Sequence, residues 1–416
     1  DVSQEKLASF TSAARSFVKF KETLATMARE TEAKKASDAL ELVLAGALGA
    51  EASDIHMEPS EKSVKIRLRI DGVLQDAADI PLPLFLLLLS RIKLISELKL
   101  NIHDKPQDGR LTIKTQKEDI EVRTSVLPGP YGESVAMRLL LPKNISITFE
   151  SLGMQPPVYK MIAQELRKPN GMILTTGPTG SGKTTTLYSF LKTIASQEVK
   201  VITIEDPIEY HLPNITQTQV DPSKGYDFGN GLRSILRQDP DIILVGEIRD
   251  LETAEIAMHA ALTGHLVFST LHTNDAAGTI PRLIDLGVRT NIISPALNIV
   301  MAQRLVRLLC EKCRKETAPT AEEKAAILKA TSELPLAYKL DLPKNFKVWR
   351  AFACEACNGT GFKGRIGIFE AFLIDNEMER LIIKNPPKAD IEEAAKKQGT
   401  ATMYQDGVLK VLEGVT

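Results

Sequence analysis

The chain has 416 residues, 43% of them hydrophobic, and its 52 Lys and Arg residues are balanced by 53 Asp and Glu residues. Because one hydrophobic core rarely grows to this length, we expect roughly two to four domains. The formal net charge of -1 disfavours a protein that binds nucleic acid through an overall basic surface.

Neither a membrane-spanning helix nor a secretory signal is predicted. The most apolar run, LFLLLL at residues 84–89, is much shorter than the about 20 residues that span a bilayer, and it predicts a buried helix. The N-terminal stretch lacks a basic segment followed by an apolar one, which favours a cytoplasmic protein with at most peripheral membrane association. Since the sequence begins with Asp1 rather than Met, we expect it to be a truncated or processed form of a longer chain.

In chain order, the hydrophobic pattern predicts five segments. Residues 1–35 carry apolar residues at helical spacing without Gly or Pro and predict a helical segment or linker. Residues 36–148 combine a helical pattern with alternating strands, which predicts a small α/β domain. Residues 149–305 alternate apolar strands with helices, the pattern of a parallel sheet covered by helices. Residues 306–371 contain all four cysteines, and the pattern of residues 372–416 predicts short helices.

The motif GPTGSGKT follows the apolar run GMILTT and precedes a helical pattern. Its spacing fits the phosphate-binding loop of nucleoside triphosphatases, in which glycines let backbone N–H groups point at the phosphates and the following helix adds its positive dipole end. We predict that Lys183 reaches the β- and γ-phosphates and that Thr184 binds Mg²⁺. The predicted nucleotide-binding residues are Gly177, Pro178, Thr179, Gly180, Ser181, Gly182, Lys183, Thr184 and Thr185.

Carboxylates follow two further apolar strands. In DIILVGE the strand ends before Glu247, which we predict to be the acid on the Mg²⁺ side of the site, although a Glu after Gly departs from the usual Asp. In VITIEDPIEY, Glu205 and Glu209 lie at the carboxyl end of another strand, where open parallel sheets build their sites. Either of these two residues is a candidate for orienting the attacking water, and a solvated acidic turn is the alternative.

Histidine and arginine residues complete the candidate site. His272 follows the apolar run HLVFSTL and is a candidate γ-phosphate sensor, although a single His is more often a structural residue. Arg233 and Arg237 lie four residues apart on one predicted helix, and Arg123 and Arg138 flank a turn of the first domain. Guanidinium groups suit the charge on a transferring phosphoryl group, but surface arginines are common, so the residues alone make these four weak candidates.

All four cysteines occur in two C-x-x-C pairs, Cys310 with Cys313 and Cys354 with Cys357. Two such pairs present four thiolates to a tetrahedral Zn²⁺, so we predict a structural zinc site without an open coordination position. Disulfide bonds are the alternative, which a cytoplasmic location disfavours. The long segment between the two pairs is expected to form an insert of its own.

The order of these motifs resembles that of the secretion ATPases. GPTGSGKT, TIEDPIEY, LRSILRQDPDIILVGEIRD and TGHLVFSTLHTNDA are similar to the Walker A motif, the Asp box, the Walker B motif and the His box of that superfamily. SDIHMEP, VKIRLRIDGVL, KPQDGR and LPGPYGESVAMRLL resemble the second N-terminal domain of the type II secretion and type IV pilus assembly ATPases. The resemblance therefore covers residues 36–416.

The resemblance implies a RecA-like P-loop ATPase core, preceded by a small PAS-like α/β domain and followed by a zinc-binding, mainly helical C-terminal region. It implies ATP, Mg²⁺ and Zn²⁺ as ligands, and a homo-hexamer in which the N-terminal domain packs on the nucleotide of a subunit. Arg123, Arg138, Arg233 and Arg237 fall at the nucleotide-contacting arginine positions of the family, which makes all four good candidates.

The four cysteines followed by GFKGRIGIFE resemble the assembly ATPases and are absent from the retraction ATPases of the same superfamily. The implied function is a cytoplasmic hexameric motor at the inner face of the inner membrane. Such a motor hydrolyses ATP to drive pilin or pseudopilin subunits into a growing filament, with an inner-membrane platform protein as its partner. The alternatives are a retraction-type ATPase, a nucleic-acid translocase and a nucleotide-binding scaffold without turnover. The neutral charge and the lack of an aromatic and basic stripe argue against nucleic acid, and the presence of the lysine, the hydroxyl and the acids argues against a scaffold.

Overall fold

The computed structural model describes residues 17–27, 33–115, 119–142 and 146–416. Residues 1–16 and 28–32 of the predicted N-terminal helical segment lie outside the described residues. The internal contacts group the chain into two units. The first unit comprises residues 1–143, 310–314 and 351–364, and the second comprises residues 144–309, 315–350 and 365–416. None of the helices in the described ranges is both long and apolar enough to cross a bilayer.

Within its described residues, the first unit contains an antiparallel sheet and three helices. Its strands are β1 (Asp54–Pro59), β2 (Ser63–Ile70), β3 (Val73–Pro81), β4 (Gln107–Lys114), β5 (Asp119–Leu127) and β6 (Ser134–Leu140). Its helices are α1 (Phe17–Met27), α2 (Ala33–Gly49) and α3 (Leu82–Ile95). The strands form one sheet in the order β3-β2-β1-β6-β5-β4, and all neighbours are antiparallel.

The hydrophobic pattern explains how this sheet and its helices pack. Every second residue of β2 is buried, because successive side chains of a strand point to opposite faces. The run LFLLLL lies in α3, where Leu84, Phe85 and Leu88 are buried, and α3 packs against α2, β2 and β3. The predicted mixture of helices and strands is confirmed here, whereas the domain boundaries and the PAS-like description stay predictions.

The rest of the chain contains nine strands and ten helices within the described residues. The strands are β7 (Gly171–Thr176), β8 (Val201–Glu205), β9 (Thr216–Gln219), β10 (Ile242–Val245), β11 (Leu266–Leu271), β12 (Leu297–Leu309), β13 (Lys315–Thr317), β14 (Val348–Arg350) and β15 (Phe362–Leu373). The helices are α4 (Pro156–Glu165), α5 (Lys183–Ile194), α6 (Phe228–Leu236), α7 (Leu251–Leu262), α8 (Thr279–Asp285), α9 (Thr290–Ala296), α10 (Ala321–Ser332), α11 (Asn376–Ile383), α12 (Lys388–Lys397) and α13 (Met403–Leu412).

Seven of these strands form the core sheet of the second unit. Their order is β15-β12-β7-β11-β10-β8-β9, and the neighbours from β12 to β9 are parallel. Successive residues of β11 belong to different hydrophobic clusters, Val267 on one side of the sheet and Phe268 on the other. A parallel sheet buried on both faces by helices is the predicted RecA-like α/β core.

Two features of residues 306–416 were not predicted from the sequence. β15 lies beside β12 at the edge of the core sheet, although its residues fall in the segment predicted to hold the cysteines. Between the cysteine pairs, β13 pairs with β14, and α10 packs against α13 through a cluster that includes Ile327, Val348 and Val408. The insert between the cysteine pairs is therefore joined to the C-terminal helix.

Candidate functional site

The GPTGSGKT loop joins the end of β7 at Thr176 to the start of α5 at Lys183. Gly177, Gly180 and Gly182 have φ angles of 149°, 78° and 90°, in the left-handed region that favours glycine. At Gly177 a Cβ would also lie 2.5 Å from the carbonyl oxygen of Gln303. At Gly177 both the backbone conformation and the lack of space require glycine. The loop lies at the N-terminus of α5, where the helix dipole favours an anion.

Lys183 lies inside this loop and is 9% exposed. Its Nζ donates hydrogen bonds to the backbone oxygens of Gly177 at 2.6 Å and Pro178 at 3.2 Å. Burial lowers the pKa of Lys183, and the negative charge of Glu247 acts in the opposite direction. Ser181 Oγ is buried without a hydrogen-bond partner among the described residues, which is uncommon for a polar atom. A buried ammonium and an unsatisfied hydroxyl in a glycine loop fit the phosphates of a nucleotide.

The remaining hydroxyl residues of the motif lie next to this lysine. Thr184 and Thr185 are half-buried in the first turn of α5, where a threonine hydroxyl is placed to bind the Mg²⁺ of a nucleotide. Pro178 and Thr179 are exposed on the outer side of the loop. The predicted contacts of these residues with a nucleotide and of Thr184 with Mg²⁺ stay predictions.

Glu247 and His272 follow β10 and β11, which are parallel neighbours in the sheet. His272 Nε2 lies 3.4 Å from Glu247 Oε2, and Arg249 Nη2 lies 2.5 Å from Glu247 Oε1. Arg249 Nη1 is also 3.6 Å from Asp206 Oδ2, after β8. β7, β11 and β10 are consecutive parallel strands of the sheet, so the predicted lysine, histidine and acid lie at the carboxyl ends of neighbouring strands.

The two candidate water-orienting acids differ in their surroundings. Glu205 is buried, and its Oε1 accepts hydrogen bonds from Thr203 Oγ1 at 2.5 Å and Gln217 Nε2 at 3.1 Å. Its Oε2 accepts from the hydroxyl of Tyr188, and burial followed by the charge of Glu205 raises the pKa of Tyr188. Glu209 is half-buried in the segment after β8. The carboxylate of Glu205 is therefore held within the core, whereas Glu209 lies closer to the surface.

Arg233 and Arg237 lie on α6 and at its C-terminal end, and both are exposed. Arg233 Nη2 is 2.5 Å from Glu252 Oε1 on α7, and Arg237 Nη2 donates to Ser234 Oγ at 3.1 Å. These partners place both arginines on an exposed face of the second unit. Contact with a nucleotide stays a prediction for both.

Arg123 and Arg138 lie in the first unit, directly opposite each other on β5 and β6. Arg138 Nε is 3.1 Å from Asp54 Oδ1, and its side chain is 54% exposed. The same register places Arg110 of β4 opposite Arg123. Arginines on three adjacent strands therefore share one face of the sheet, and the predicted nucleotide contact of Arg123 and Arg138 stays a prediction.

The four cysteines form one cluster in the first unit. Their Sγ atoms all lie within 4.8 Å of one another, with 3.8 Å between Cys310 and Cys354, 3.9 Å between Cys313 and Cys357, and 3.6 Å between Cys354 and Cys357. Four sulfurs about 2.3 Å from one Zn²⁺ at tetrahedral angles are about 3.8 Å apart, and a disulfide needs about 2.05 Å. The cysteines are free, and their spacing fits zinc.

The thiols of the cluster do not share one environment. Burial raises the pKa of Cys357, but the N–H groups of Cys354 and Gly361 and the thiols of Cys354 and Cys313 together outweigh it, so the pKa is lowered to about 6. Burial and the neighbouring thiols raise the pKa of Cys313 to about 12. Backbone N–H groups aimed at one sulfur are the surroundings that a thiolate ligand needs.

Two residues at the nucleotide site were missed by the sequence reasoning. Gln303 of β12 accepts a hydrogen bond from Thr186 Oγ1 at 2.8 Å, and its backbone oxygen faces Gly177, so it supports the phosphate loop from the neighbouring strand. Arg249 pairs with Glu247. The sequence contains a signal for Arg249, which lies two residues from Glu247, but none for Gln303, which depends on β12 lying beside β7.

The parallel sheet and its phosphate loop, lysine and acid define a P-loop nucleoside triphosphatase of the RecA-like class. Residues 29–416 match the family described as Type II/IV secretion system protein, and the chain belongs to this family. It is 45% identical over 374 residues to type II secretion system protein E of Aeromonas hydrophila, covering 90% of this chain and 72% of that protein. It is 43% identical over 366 residues to the type IV pilus assembly ATPase PilB of Thermus thermophilus, covering 88% of this chain and 40% of that protein.

Two solved structures share the fold. The pilus retraction motor PilT, solved with bound ADP, aligns with a TM-score of 0.59 at 27% identity, over 91% of this chain and 94% of that one. The ATPase DotB of Legionella pneumophila aligns with a TM-score of 0.62 at 23% identity, over 90% of this chain and 92% of that one. The second similarity concerns the fold alone.

Proposed function

We propose that the chain is the ATP-hydrolysing motor subunit that powers assembly of a type IV pilus or of a type II secretion pseudopilus. The observation that carries this proposal is that the phosphate loop, His272 and Glu247 follow three adjacent parallel strands of the core sheet, with 3.4 Å between His272 Nε2 and Glu247 Oε2. The proposed process, filament assembly, is inferred from the relatives, which are named as a type II secretion protein and a type IV pilus assembly ATPase.

Each residue of the site has a proposed role. Lys183 contacts the β- and γ-phosphates of ATP, and its burial limits the screening of its charge by water. Thr184 and Glu247 hold the Mg²⁺, which offsets the charge of the phosphates when bound. His272 contacts Glu247 and is the proposed sensor of whether the γ-phosphate is present.

Glu209 is favoured over Glu205 as the residue that orients the attacking water. The two oxygens of Glu205 already accept hydrogen bonds from three side chains, so its carboxylate stabilises the packing of α5 and β9 against β8. Glu209 is half-buried, so we infer that its carboxylate is the one free to face a water molecule. Water positioning is the main task that phosphoryl transfer leaves to such an acid.

The assembly and the cysteine cluster extend this proposal. The motor acts as a homo-hexamer at the cytoplasmic face of the inner membrane, associated peripherally through a membrane-embedded platform protein and without nucleic acid. Arg123, Arg138, Arg233 and Arg237 contact the nucleotide in that assembly. Cys310, Cys313, Cys354 and Cys357 hold a structural Zn²⁺, because four thiolates leave no open position for catalysis.

Substitution of Lys183 tests the central claim. Lys183→Ala should reduce ATP turnover at least about 100-fold, because the charge that meets the phosphates is lost. Lys192→Ala, at the exposed end of the same helix, is the matched control and should turn over ATP like the wild type. Turnover at the wild-type rate in Lys183→Ala would refute the assignment of the site.

The choice between a filament motor and a nucleic-acid translocase can be made with the same assay. A cytoplasmic fragment of the platform protein should stimulate turnover, and single- or double-stranded DNA should not. Stimulation by DNA alone would overturn the filament assignment while leaving the ATPase assignment intact.

A further inference from the structure

The loop that carries His272, residues 272–278, is tied to the phosphate loop by threonines. Thr176, the last residue of β7, accepts a hydrogen bond on its Oγ1 from Thr273 N at 2.8 Å. The Thr273 hydroxyl lies 2.7 Å from Thr176 Oγ1 and 2.7 Å from the backbone oxygen of Asp275, to which it donates. The start of the phosphate loop and the His272 loop are therefore hydrogen-bonded to each other.

Glu370 of β15 holds the other end of the same loop. Its Oε1 accepts a hydrogen bond from Ala276 N at 2.7 Å, and its Oε2 accepts one from Met403 N, at the start of α13, at 3.0 Å. One carboxylate thus joins the His272 loop to the N-terminus of the C-terminal helix, where the helix dipole stabilises its charge. Burial raises the pKa of Glu370, so its position costs solvation that these two hydrogen bonds repay in part.

A second link runs in parallel on the surface. Lys388 Nζ of α12 lies 2.6 Å from Asp275 Oδ2, and Asp275 Oδ1 accepts a hydrogen bond from Gly278 N at 2.9 Å. Lys388 is 45% exposed, so this pair is expected to contribute little on its own. The buried carboxylate of Glu370 is the stronger of the two links.

We propose that Glu370 is a positioning residue for ATP hydrolysis, which holds the 272–278 loop so that His272 stays beside Glu247. This inference rests on the proposed ATPase function. Glu370 lies on β15, separated from the site by β12 and β7 in the sheet, and acts through the backbone of Ala276. The N–H of Ala276 binds one oxygen of a carboxylate whose other oxygen is held by Met403 N, so the loop cannot move away from β15 without breaking this hydrogen bond.

Glu370→Gln tests the proposal with little change in volume. The amide keeps one oxygen acceptor but turns an NH₂ group toward a backbone N–H, so one of the two links is lost. We expect kcat for ATP to fall about five- to twenty-fold while the nucleotide Kd stays within about two-fold. Hydrogen exchange should increase in peptides covering 272–278 and 402–406. Glu377→Gln, on the exposed side of α11, is the matched control and should change neither quantity.

A double-mutant cycle with His272→Ala separates positioning from a general structural role. If Glu370 acts through His272, the loss of kcat in the double variant should equal that of His272→Ala alone. Independent, multiplicative losses would overturn the proposal, as would unchanged kcat in a folded Glu370→Gln protein.

Asp275→Asn keeps the proposal testable if Glu370→Gln does not fold. It weakens the surface link, and we expect a smaller loss of kcat, about two-fold, that also disappears in the His272→Ala background. Persistence of that loss would contradict the proposal. Absence of ATP turnover in the wild type would instead refute the proposed function, so the two failures are distinguishable.

Discussion

The carboxylate of Glu247 has a cationic neighbour at one oxygen and an imidazole at the other. Arg249 contacts Oε1 at 2.5 Å and His272 lies 3.4 Å from Oε2. Since the Arg249 side chain is 60% exposed, its ion pair is expected to be worth only about 0.2–1 kcal/mol. Mg²⁺ can therefore replace Arg249 as the partner of Glu247 at little cost in free energy.

We predict that Arg249→Ala lowers the Mg²⁺ concentration needed for half-maximal ATP turnover by about two- to five-fold, because a cation that competes for Glu247 is removed. The measurement is a Mg²⁺ titration of turnover at saturating ATP. Arg167→Ala, an exposed position after α4, is the control. A higher Mg²⁺ requirement in Arg249→Ala would mean that the guanidinium assists metal binding.

Glu370 gives the molecule a pH-dependent component of stability whose sign can be stated. Burial raises its pKa, as does the charge of Asp275, whereas the N–H groups of Ala276 and Met403 and the ammonium of Lys388 lower it. With a folded-state pKa above the unfolded value of about 4.3, the folded state binds the proton more tightly. The carboxyl therefore contributes stability that is fully present below the unfolded value and is lost as the pH rises through the folded-state pKa.

We predict that the free energy of unfolding of the wild type, minus that of Glu370→Gln, decreases as the pH rises from about 4 and levels off above the folded-state pKa. Glutamine has no charge to desolvate, so its own contribution does not change with pH. Urea denaturation at fixed ionic strength, followed by circular dichroism, measures the difference. A difference that is constant or increases with pH would contradict the assignment.

Among the elements, those with local signals were predictable and those with distant partners were not. The runs GMILTT and GPTGSGKT specify a buried strand and a glycine turn by themselves, and β7, the loop and α5 follow them. β15 belongs to the core sheet because it pairs with the side of β12 that β7 does not occupy. No local sequence pattern predicts this pairing.

The residues of the candidate site also fall into those with a local sequence signal and those that depend on distant contacts. Lys183 and Glu247 follow from motif spacing. Glu205 and Glu209 are equivalent in sequence, and what separates them is the burial of Glu205 and its contacts with Tyr188 of α5 and Gln217 of β9. Side-chain contacts between elements distant in sequence, like that of Gln303 with Thr186, cannot be read from spacing, since they depend on how the elements pack.

For the cysteine cluster we predict one Zn²⁺ per chain. Cys354→Ser should remove most of the bound zinc and increase proteolysis within residues 310–314 and 351–364, because the metal cross-links these segments. Elemental mass spectrometry and limited proteolysis are the measurements. Glu355→Ala, an exposed position inside the same turn, should keep its zinc. Full zinc content in Cys354→Ser would contradict a four-cysteine site.

If Arg123 and Arg138 of the first unit contact the nucleotide as proposed, they link catalysis to assembly of the whole molecule. We predict that Arg123→Ala and Arg138→Ala each lower kcat at least about ten-fold and change ATP affinity by less than about two-fold, because a guanidinium brought to the transferring phosphate acts on the transition state. Arg69→Ala, on the other side of Asp54 in the same sheet, is the control.

If the site is completed by a neighbouring subunit, ATPase activity per chain should depend on protein concentration. Specific activity should rise with protein concentration as the ring forms, and light scattering after size exclusion gives the oligomeric state of each sample. Constant activity per chain across a dilution series in which the oligomer dissociates would mean that each subunit completes its own site.

β12 is an internal strand only because β15 covers one of its sides. During synthesis β12, which ends at Leu309, leaves the ribosome well before β15, which begins at Phe362. Until then its unpaired N–H and C=O groups form an edge that can pair with another nascent chain. This edge stays exposed while the cysteine-containing segment is translated, so we expect a premature stop before Phe362 to leave an aggregation-prone product.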